Sequence, residues 1–266
     1  MTNLTLVPYA GLCNRMNAIL CAIAIGKEID LETTVYWMVD KDCYAEFGEL
    51  FCPISGIKVK KLTSFFLRPG RRSNFYLPTI VRSLFFEKNH NGNKTTYVDI
   101  LELIKSCSNI YISSFNRFST QEIVSSVGSY FKPIDKLQLE IDKTVSLFSK
   151  ETIGIHIRRT DNVKAIEESP IHRFEQYMEE KLSSNPECMF YLASDDDNVK
   201  SHFISKFGEN IISRHNVLDR TSKEGMREAV IDLFCLANTC LIVGSAKSTY
   251  SMMASYIFNK PLYICR

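Results

Sequence analysis

Hydrophobic and polar positions along this chain form two recurring patterns. Short apolar runs, typical of buried strands, alternate with segments whose apolar residues are spaced by three or four, as in amphipathic helices. The runs predict strands at residues 4–7, 35–39, 109–113, 152–157, 189–193, 211–213, 240–243 and 262–264. The spaced segments predict helices at residues 14–28, 133–149, 171–182, 197–207, 224–237 and 248–258. Residues 52–95, interrupted by prolines and glycines, predict irregular structure.

The regular alternation of strands and helices in the second half of the chain defines the fold class. It indicates right-handed βαβ units and therefore an α/β protein with parallel sheets. Ligands of such sheets bind beyond the carboxyl ends of the strands. Candidate functional residues are therefore expected just after each predicted strand.

Length and charge narrow the classes of protein that fit. The chain has 266 residues, enough for one large domain or two of ordinary size. Hydrophobic residues make up 45% and charged residues 23%, which is ordinary for a folded globular protein. The net charge of +2 is too small to indicate a nucleic-acid partner.

Cysteines and apolar stretches bear on location. The nine cysteines include no Cys-x-x-Cys pair of the kind that zinc sites and redox dithiols use. Buried, reduced thiols in a cytosolic protein are the expectation. Residues 1–8 lack the basic and apolar regions of a secretion signal, and the apolar stretch at 18–25 is too short to span a bilayer. We therefore expect a cytoplasmic protein.

One segment is strongly basic. Residues 58–94 carry nine lysines and arginines against a single acid, Glu87, and residues 69–86 interleave arginines with aromatic residues. Such a segment can bind an anionic glycan or a lipid-linked glycan at a membrane surface. The alternative is a solvated loop whose aromatic residues pack into the core.

The strongest chemical motif follows the strand predicted at 152–157. Residues 154–161 read Gly-Ile-His-Ile-Arg-Arg-Thr-Asp, and His156 and Arg158 share one face of the strand. Two arginines at the end of a buried strand require an anion or a carboxylate. Their planar guanidinium groups suit phosphate oxygens. Arg158 and Arg159 therefore predict an anion site, and structural pairing with Asp161 is the alternative.

Two other loops lead into predicted helices. At residues 9–15, Gly11 permits close backbone approach, and the N–H groups of the helix start offer an anion site. Asn14 is alternatively an N-cap, and Arg15 a surface helix residue. Ser248 and Thr249 place hydroxyl groups at a later helix start, where they either donate to phosphate or cap the helix.

The acidic run Asp195-Asp196-Asp197 has three interpretations. Asp196 or Asp197 caps the following helix. A family resemblance, given below, implies instead that the acids serve a nucleoside or the fold. In the third, Asp195 and Asp197 hold a divalent metal beside a diphosphate.

Together these motifs resemble those of the α1,2-, α1,6- and protein O-fucosyltransferase superfamily, which includes nodulation fucosyltransferases. The resemblance rests on residues 9–15, 156–161, 190–196 and 229–251, which occur in the family's order. Ala10, Cys13 and Lys247 depart from the family's pattern, and residues 40–130 match nothing in it.

The resemblance implies a GT-B fold, with two Rossmann-like domains of parallel sheets facing a cleft. It implies an acceptor-side domain at 1–150, a GDP-sugar domain at 151–266, and inverting transfer without metal or cofactor. Arg158 is expected to be essential and to contact the donor diphosphate. Asp232 is expected to contact the nucleoside, although its helical position alone predicts a surface acid. The expected donor-binding residues are Gly11, Asn14, Arg15, His156, Arg158, Arg159, Asp161, Asp195, Asp232, Ser248 and Thr249.

The sequence thus favours a transferase that moves fucose from GDP-fucose to a glycan or lipid-linked oligosaccharide, with peripheral membrane contact in the latter case. A metal-dependent glycosyltransferase using Asp195 and Asp197 is one alternative. A catalytically silent GDP-sugar-binding protein is another. For His156, a hydrogen-bonded core histidine is the alternative to a place beside the donor.

Overall fold

The computed structural model describes residues 2–61, 77–91, 97–118, 127–160, 163–215 and 219–266. Its strands form two five-stranded parallel sheets, each flanked by helices, so the predicted α/β class with two Rossmann-like domains is confirmed. The first unit comprises Met1–Ile123, Ser129–Lys132 and Arg220–Lys223. The second comprises Val124–Gly128, Pro133–Asp219 and Glu224–Arg266.

The first sheet has the strand order β3-β2-β1-β5-β4, with β1 at its centre. Its elements are β1 (Thr2–Pro8), α1 (Leu12–Glu28), β2 (Leu31–Trp37), β3 (Ile57–Lys61), α2 (Thr79–Phe85), β4 (Lys88–Asn91), α3 (Tyr97–Lys105) and β5 (Asn109–Ser114). One side of β1 is apolar and fully buried through Leu4 and Leu6. Helix α1 is buried along most of its length, as its run of Ala, Ile and Leu requires.

The second sheet has the strand order β10-β9-β6-β7-β8, with β6 at its centre. After the short helix α4 (Val127–Tyr130), the elements are α5 (Asp135–Val145), β6 (Ile153–Ile157), α6 (Val163–Glu168), α7 (Ile171–Ser184), β7 (Phe190–Ser194), α8 (Asp197–Phe207), β8 (Ile211–Ser213), α9 (Lys223–Ala237), β9 (Leu241–Ser245), α10 (Thr249–Ile257) and β10 (Leu262–Cys265). Ile155 and Ile157 pack with Phe174 and Phe203 in a core that covers one side of this sheet.

The structure corrects two predictions about organisation. Residues 52–95 are not irregular throughout, since β3, α2 and β4 lie among them. Strand β3 was not predicted because it contains no continuous apolar run. It is a largely exposed edge strand with the sequence Ile-Lys-Val-Lys-Lys. The division between the units also lies nearer residue 133 than Lys150. The reason is that α5 packs within the second unit, where Thr144 accepts a hydrogen bond from Arg214.

Seven of the nine cysteines are buried, Cys52 is partly buried and Cys240 is exposed. Across the described ranges, every helix is too short or too polar to cross a membrane.

Candidate functional site

The carboxyl end of β6 is the point where the chain order of the second sheet reverses. Strands β7 and β8 continue on one side of β6, whereas β9 and β10 lie on the other. Crevices at such switch points are where open α/β sheets bind their ligands. The predicted motif at 154–161 ends at this point.

Arg158 follows the last residue of β6 and is only partly buried. Its backbone N–H donates to the Oγ of Ser245, at the end of β9, over 3.0 Å. The same hydroxyl donates to the carbonyl of His156 at 3.4 Å. Ser245 therefore anchors the backbone from which the Arg158 side chain extends.

The guanidinium group of Arg159 donates hydrogen bonds to two backbone carbonyls. Its Nη2 donates to the carbonyl of Ser169 at 2.6 Å, and its Nη1 donates to the carbonyl of Arg158 at 3.2 Å. Burial lowers the pKa of Arg159, and the charge of Asp195 opposes that shift. The predicted donor contact by Arg159 stays a prediction, and Asp161 lies outside the described residues.

Asp195 fixes the loop that carries the two arginines. One oxygen accepts the backbone N–H of Arg159 at 2.6 Å. The other accepts the hydroxyl of Thr160 at 2.7 Å. A carboxylate at the end of β7 thus sets the path of the chain after β6, which agrees with a structural role for this acid.

The other two acids of the run do not join Asp195 in a cluster. Asp196 is the N-cap of α8 and accepts the N–H of Asn198 at 2.8 Å, so the capping interpretation is confirmed for this residue. Asp197 is exposed in the first turn of α8. Among the residues that the structure describes, no three His, Cys, Asp or Glu side chains come together as a metal site.

His156 lies on the side of β6 that faces α10. Its Nδ1 is 2.7 Å from the Oγ of Ser251, and its ring stacks on Tyr250 with centroids 4.8 Å apart. Burial lowers the pKa of His156 to about 4; the charge of Asp195 opposes the shift and that of Arg158 adds to it. The imidazole is therefore neutral at pH 7.

Helix α10 begins beside this histidine. Ser248 is its N-cap and accepts the N–H of Ser251 at 3.5 Å, so the capping interpretation is confirmed. Thr249 is the first helical residue and is partly exposed. The N–H groups of the first turn of α10 start at the end of β9, next to β6 in the sheet. Contacts of Ser248 and Thr249 with phosphate stay predictions.

Gly244 permits the close approach of α10 to β9. A Cβ atom at this position would lie 2.4 Å from the Oγ and 2.5 Å from the Cβ of Ser251. Neither residue was singled out in the sequence. A glycine one residue before the end of a strand that leads into a hydroxyl-rich helix start is the signal that indicates them.

Asp232 is buried, so the surface position predicted from its helical wheel is wrong. Its Oδ1 accepts the hydroxyl of Tyr191 at 2.5 Å, and only 5% of the residue is exposed. The wheel failed because α9 is buried almost all round from Val230 to Ala237. Burial and the charge of Asp232 raise the pKa of Tyr191. The nucleoside contact of Asp232 stays a prediction.

The first sheet has its own loop at the carboxyl end of β1. Gly11 is the N-cap of α1, and Ala10 has a positive φ of 65°. Asn14 lies inside the first turn, so its alternative as the N-cap is wrong. Gly11 leaves open space where a side chain would begin. Donor contacts by Gly11 and Asn14 stay predictions.

Arg15 is fully buried, which rules out the surface position considered for it. Its Nε donates to the carbonyl of Ala10 at 2.7 Å, and its Nη2 to Asp40 at 2.8 Å. Its Nη1 donates to the carbonyl of Met38. The guanidinium also lies 5.1 Å from the ring centroid of Trp37. Arg15 therefore holds the loop of residues 9–11, called the Ala10 loop below, and its donor contact stays a prediction.

No protein-family model matches the chain, and no curated protein matches it. Among solved structures, it resembles NodZ alpha-1,6-fucosyltransferase soaked with GDP-fucose (TM-score 0.66, 16% identity, 97% of this chain and 93% of that one). It resembles a mutant of Arabidopsis thaliana FUT1 in complex with GDP (TM-score 0.65, 14% identity, 99% and 70%). It also resembles POFUT1 in complex with GDP (TM-score 0.63, 12% identity, 99% and 98%).

These likenesses extend over almost the whole chain at low sequence identity. The protein therefore has the GT-B fold of these fucosyltransferases, as its motifs implied. Residues 40–130, which had no counterpart among the motifs, fall largely within the part of the chain that the structural likeness spans.

Proposed function

We propose that this protein is a GDP-fucose-dependent fucosyltransferase that uses Arg158 to stabilise the departing diphosphate. The fold supports this, since the solved structures that it resembles are fucosyltransferases containing GDP or GDP-fucose. The observation that carries the proposal is the position of Arg158. It extends from the switch point of the second sheet, on a backbone anchored by Ser245.

The chemistry of transfer accounts for a fixed arginine there. Breaking the bond between sugar and phosphate leaves new negative charge on the diphosphate. A cation whose backbone is already held stabilises this charge most strongly as it develops. The start of α10 adds N–H groups with partial positive charge at the same edge of the sheet.

A neutral His156 fits beside such a cation. A protonated imidazole would repel Arg158, and burial keeps the ring uncharged. Its contact with Ser251 fixes the ring orientation. We assign His156 a neutral hydrogen-bonding role near the donor, and Arg158 the charge.

The proposed reaction inverts the sugar and needs neither metal nor cofactor besides the donor substrate. GDP departs without being protonated, so the reaction needs a base only for the acceptor hydroxyl. Asp195, the acid that the metal-dependent alternative requires, already accepts hydrogen bonds from Arg159 and Thr160. Activity that survives EDTA would support the metal-free reaction, and complete loss restored by a divalent cation would favour the alternative.

The proposed function includes the class of acceptor and the cellular location of the enzyme. We propose a glycan or lipid-linked oligosaccharide as the acceptor, and a cytoplasmic enzyme that reaches the inner face of the membrane for lipid-linked substrates. Part of the basic and aromatic segment behind this expectation, residues 62–76, lies outside the described residues.

A thermal-shift panel tests the donor. The protein is heated with GDP, GDP-fucose, GDP-mannose and UDP-sugars, each well above its dissociation constant. Ligand at about a hundred times that constant raises stability by roughly 2.7 kcal/mol. We expect GDP and GDP-fucose to stabilise the protein, whereas stabilisation by UDP-sugars alone would overturn the donor assignment.

Release of fucose then separates an enzyme from a silent binding protein. Incubation with GDP-fucose and a pool of glycans should yield GDP and a fucosylated product. Mass spectrometry detects both. Binding of GDP-fucose without hydrolysis or transfer would leave only a sugar-nucleotide-binding protein.

A further inference from the structure

A serine between helices α6 and α7 contacts the ends of three strands of the second sheet. Ser169 follows the last residue of α6, and Pro170 after it is the N-cap of α7. Ser169 is completely buried, with 0% of its surface exposed. Strands β10, β9 and β6 are neighbours in that order, and Ser169 hydrogen-bonds with a residue at or just after the end of each. A residue outside the sheet thus joins three strand ends at its carboxyl edge.

The backbone and the hydroxyl group of Ser169 all take part in hydrogen bonds. Its carbonyl accepts the Nη2 of Arg159 at 2.6 Å. Its hydroxyl accepts the N–H of Ala246 at 2.8 Å and donates to the carbonyl of Cys265. Its own N–H donates to the carbonyl of Ala165, in α6, at 3.0 Å. Ser169 is therefore fixed to α6, and it fixes the loops that follow β6 and β9.

An exposed ion pair repeats this connection at the surface. Glu168 pairs with Lys247, the residue after Ala246, and its Oε2 lies 3.9 Å from the Nη2 of Arg266. The side chains of both cations are at least half exposed. Because exposed ion pairs contribute little, the buried serine is the stronger of the two links.

The two loops that Ser169 fixes carry the two cationic groups of the proposed donor site. Arg159 directly follows Arg158, and its Nη1 donates to the carbonyl of Arg158 at 3.2 Å. Ala246 comes two residues before Ser248, the N-cap of α10. A displacement of Ser169 therefore acts on the arginine loop and on the start of α10 together.

We propose that Ser169 is a positioning residue that sets the spacing between Arg158 and the N-terminus of α10, and thereby the affinity of the second unit for a nucleoside diphosphate. The inference rests on the proposed function, which assigns the diphosphate to these two groups. Two fixed sources of positive charge stabilise one diphosphate only while both are correctly placed against its oxygens. Without the serine hydroxyl, the N–H of the buried Ala246 loses its acceptor, and the loop before α10 shifts to supply another.

Ser169→Ala tests this role, and Ser255→Ala is its matched control. Ser255 lies near the far end of α10, is 8% exposed, and its hydroxyl donates to the carbonyl of Lys260 at 2.6 Å. Each substitution thus removes a buried, hydrogen-bonded hydroxyl from the second unit. Isothermal titration calorimetry measures the GDP affinity of the full chain with each change alone and combined with Arg158→Lys. The temperature is one at which circular dichroism shows every protein to be folded.

We expect Ser169→Ala to weaken GDP binding about tenfold, equivalent to about 1.4 kcal/mol. Ser255→Ala should leave the affinity unchanged. The variant with both Ser169→Ala and Arg158→Lys should bind GDP more tightly than the product of the two separate losses predicts, because both changes disturb the same contact. A serine that only stabilises the fold would lower the melting temperature without this coupling.

A thiol provides a graded variant of the same position. Ser169→Cys keeps a side chain of similar shape that donates and accepts weakly. Its GDP affinity should lie between those of Ser169→Ala and the unchanged protein. If Ser169→Ala does not fold, Ser169→Cys takes its place in the comparison, with Ser255→Cys as the control.

Two results would overturn the positioning role while leaving the donor assignment intact. In the first, Arg158→Lys weakens GDP binding but Ser169→Ala binds GDP as tightly as Ser255→Ala does. In the second, the losses from Ser169→Ala and Arg158→Lys multiply in full. Failure of the proposed function gives a different pattern, in which Arg158→Lys itself leaves the GDP affinity unchanged.

Discussion

The two sheets end in similar loops but employ their arginines differently. In each, the central strand leads into a loop, β1 into the loop before α1 and β6 into the loop that begins with Arg158. Ala10 in the first of these loops has a positive φ, as does Lys247 between β9 and α10. In the first unit, Arg15 is fully buried and ion-paired with Asp40. In the second, Arg158 stays partly exposed on an anchored backbone. The first loop is thus stabilised from within by its own cation, whereas the cation of the second is the one that we propose contacts the donor diphosphate.

The contrast shows how position decides the role of an arginine. Asp40 neutralises the guanidinium of Arg15, which also donates to two backbone carbonyls. Asp195 lies close to the second loop, but it accepts hydrogen bonds from the N–H of Arg159 and from Thr160. The carboxylate there fixes the backbone of the loop that carries Arg158.

Removing Arg15 is the change with the largest expected effect. Arg15→Ala leaves Asp40 without its cation and frees the Ala10 carbonyl. Loss of one partner of a buried pair typically destabilises by about 3–5 kcal/mol, and the lower figure applies because Asp40 is partly exposed. Urea unfolding followed by circular dichroism measures the change. Asp40→Asn, which keeps a hydrogen-bond acceptor, should cost less, and an unchanged midpoint for Arg15→Ala would contradict the structural role.

Replacing Arg158 tests the other half of the comparison. Arg158→Lys keeps the charge but loses the planar fork, so kcat/KM for fucosyl transfer should fall about 10²–10³-fold. The melting temperature should stay close to that of the unchanged protein. Arg227→Lys is the matched control, since Arg227 lies on α9 and pairs with the exposed Glu224. Full activity of Arg158→Lys would refute the proposed function.

Alanine substitutions at Gly244 and Gly11 test whether each glycine is needed for packing within the protein. Gly244→Ala places a methyl group against Ser251, and overpacking of this kind destabilises by about 1–3 kcal/mol. It should also weaken GDP binding, because Ser251 holds His156. Gly11→Ala has open space and should change stability by less than about 1 kcal/mol. Thermal melts with and without GDP measure both, and equal destabilisation by the two variants would contradict the packing argument.

Relief of the strained loop residues has the smallest expected effect. Ala10→Gly removes a positive-φ penalty of about 1–2 kcal/mol but adds flexibility to the unfolded chain, for a net gain below about 1 kcal/mol. Lys247→Gly should gain less, because it also removes the ion pair with Glu168. Chemical denaturation ranks the two, and a loss of stability in Ala10→Gly would show that the methyl group of Ala10 has a packing role.

Much of the second unit was predictable, and the reasons are local. Its strands are continuous apolar runs because both sides of the sheet are covered, and helix α8 was predicted with the bounds that it has. The arginines after β6 and the cap of α8 follow directly from residue type and position. Ser251 was missed because its contact with His156 joins residues 95 positions apart.

The first unit was predicted less completely, because several of its elements are exposed and its key contacts join distant parts of the chain. Edge strand β3 and helix α2 expose apolar residues, among them Ile80, Leu84 and Phe85, so their patterns do not match a buried face. The burial of Arg15 was also beyond sequence reasoning, because its acceptors come from Ala10, Met38 and Asp40, on both sides of β2 along the chain. The periodic pattern of a single helix or strand gives no information about tertiary contacts of this kind.

The single tryptophan of the chain lies directly against Arg15. Trp37 is 1% exposed, its indole N–H donates to the carbonyl of Ala45 at 2.8 Å, and the guanidinium lies over its ring. Under excitation selective for tryptophan, the emission of the protein therefore originates beside Arg15, the residue that holds the Ala10 loop. A ligand that shifts this loop changes the emission through Arg15, so the protein carries a built-in optical reporter for that loop.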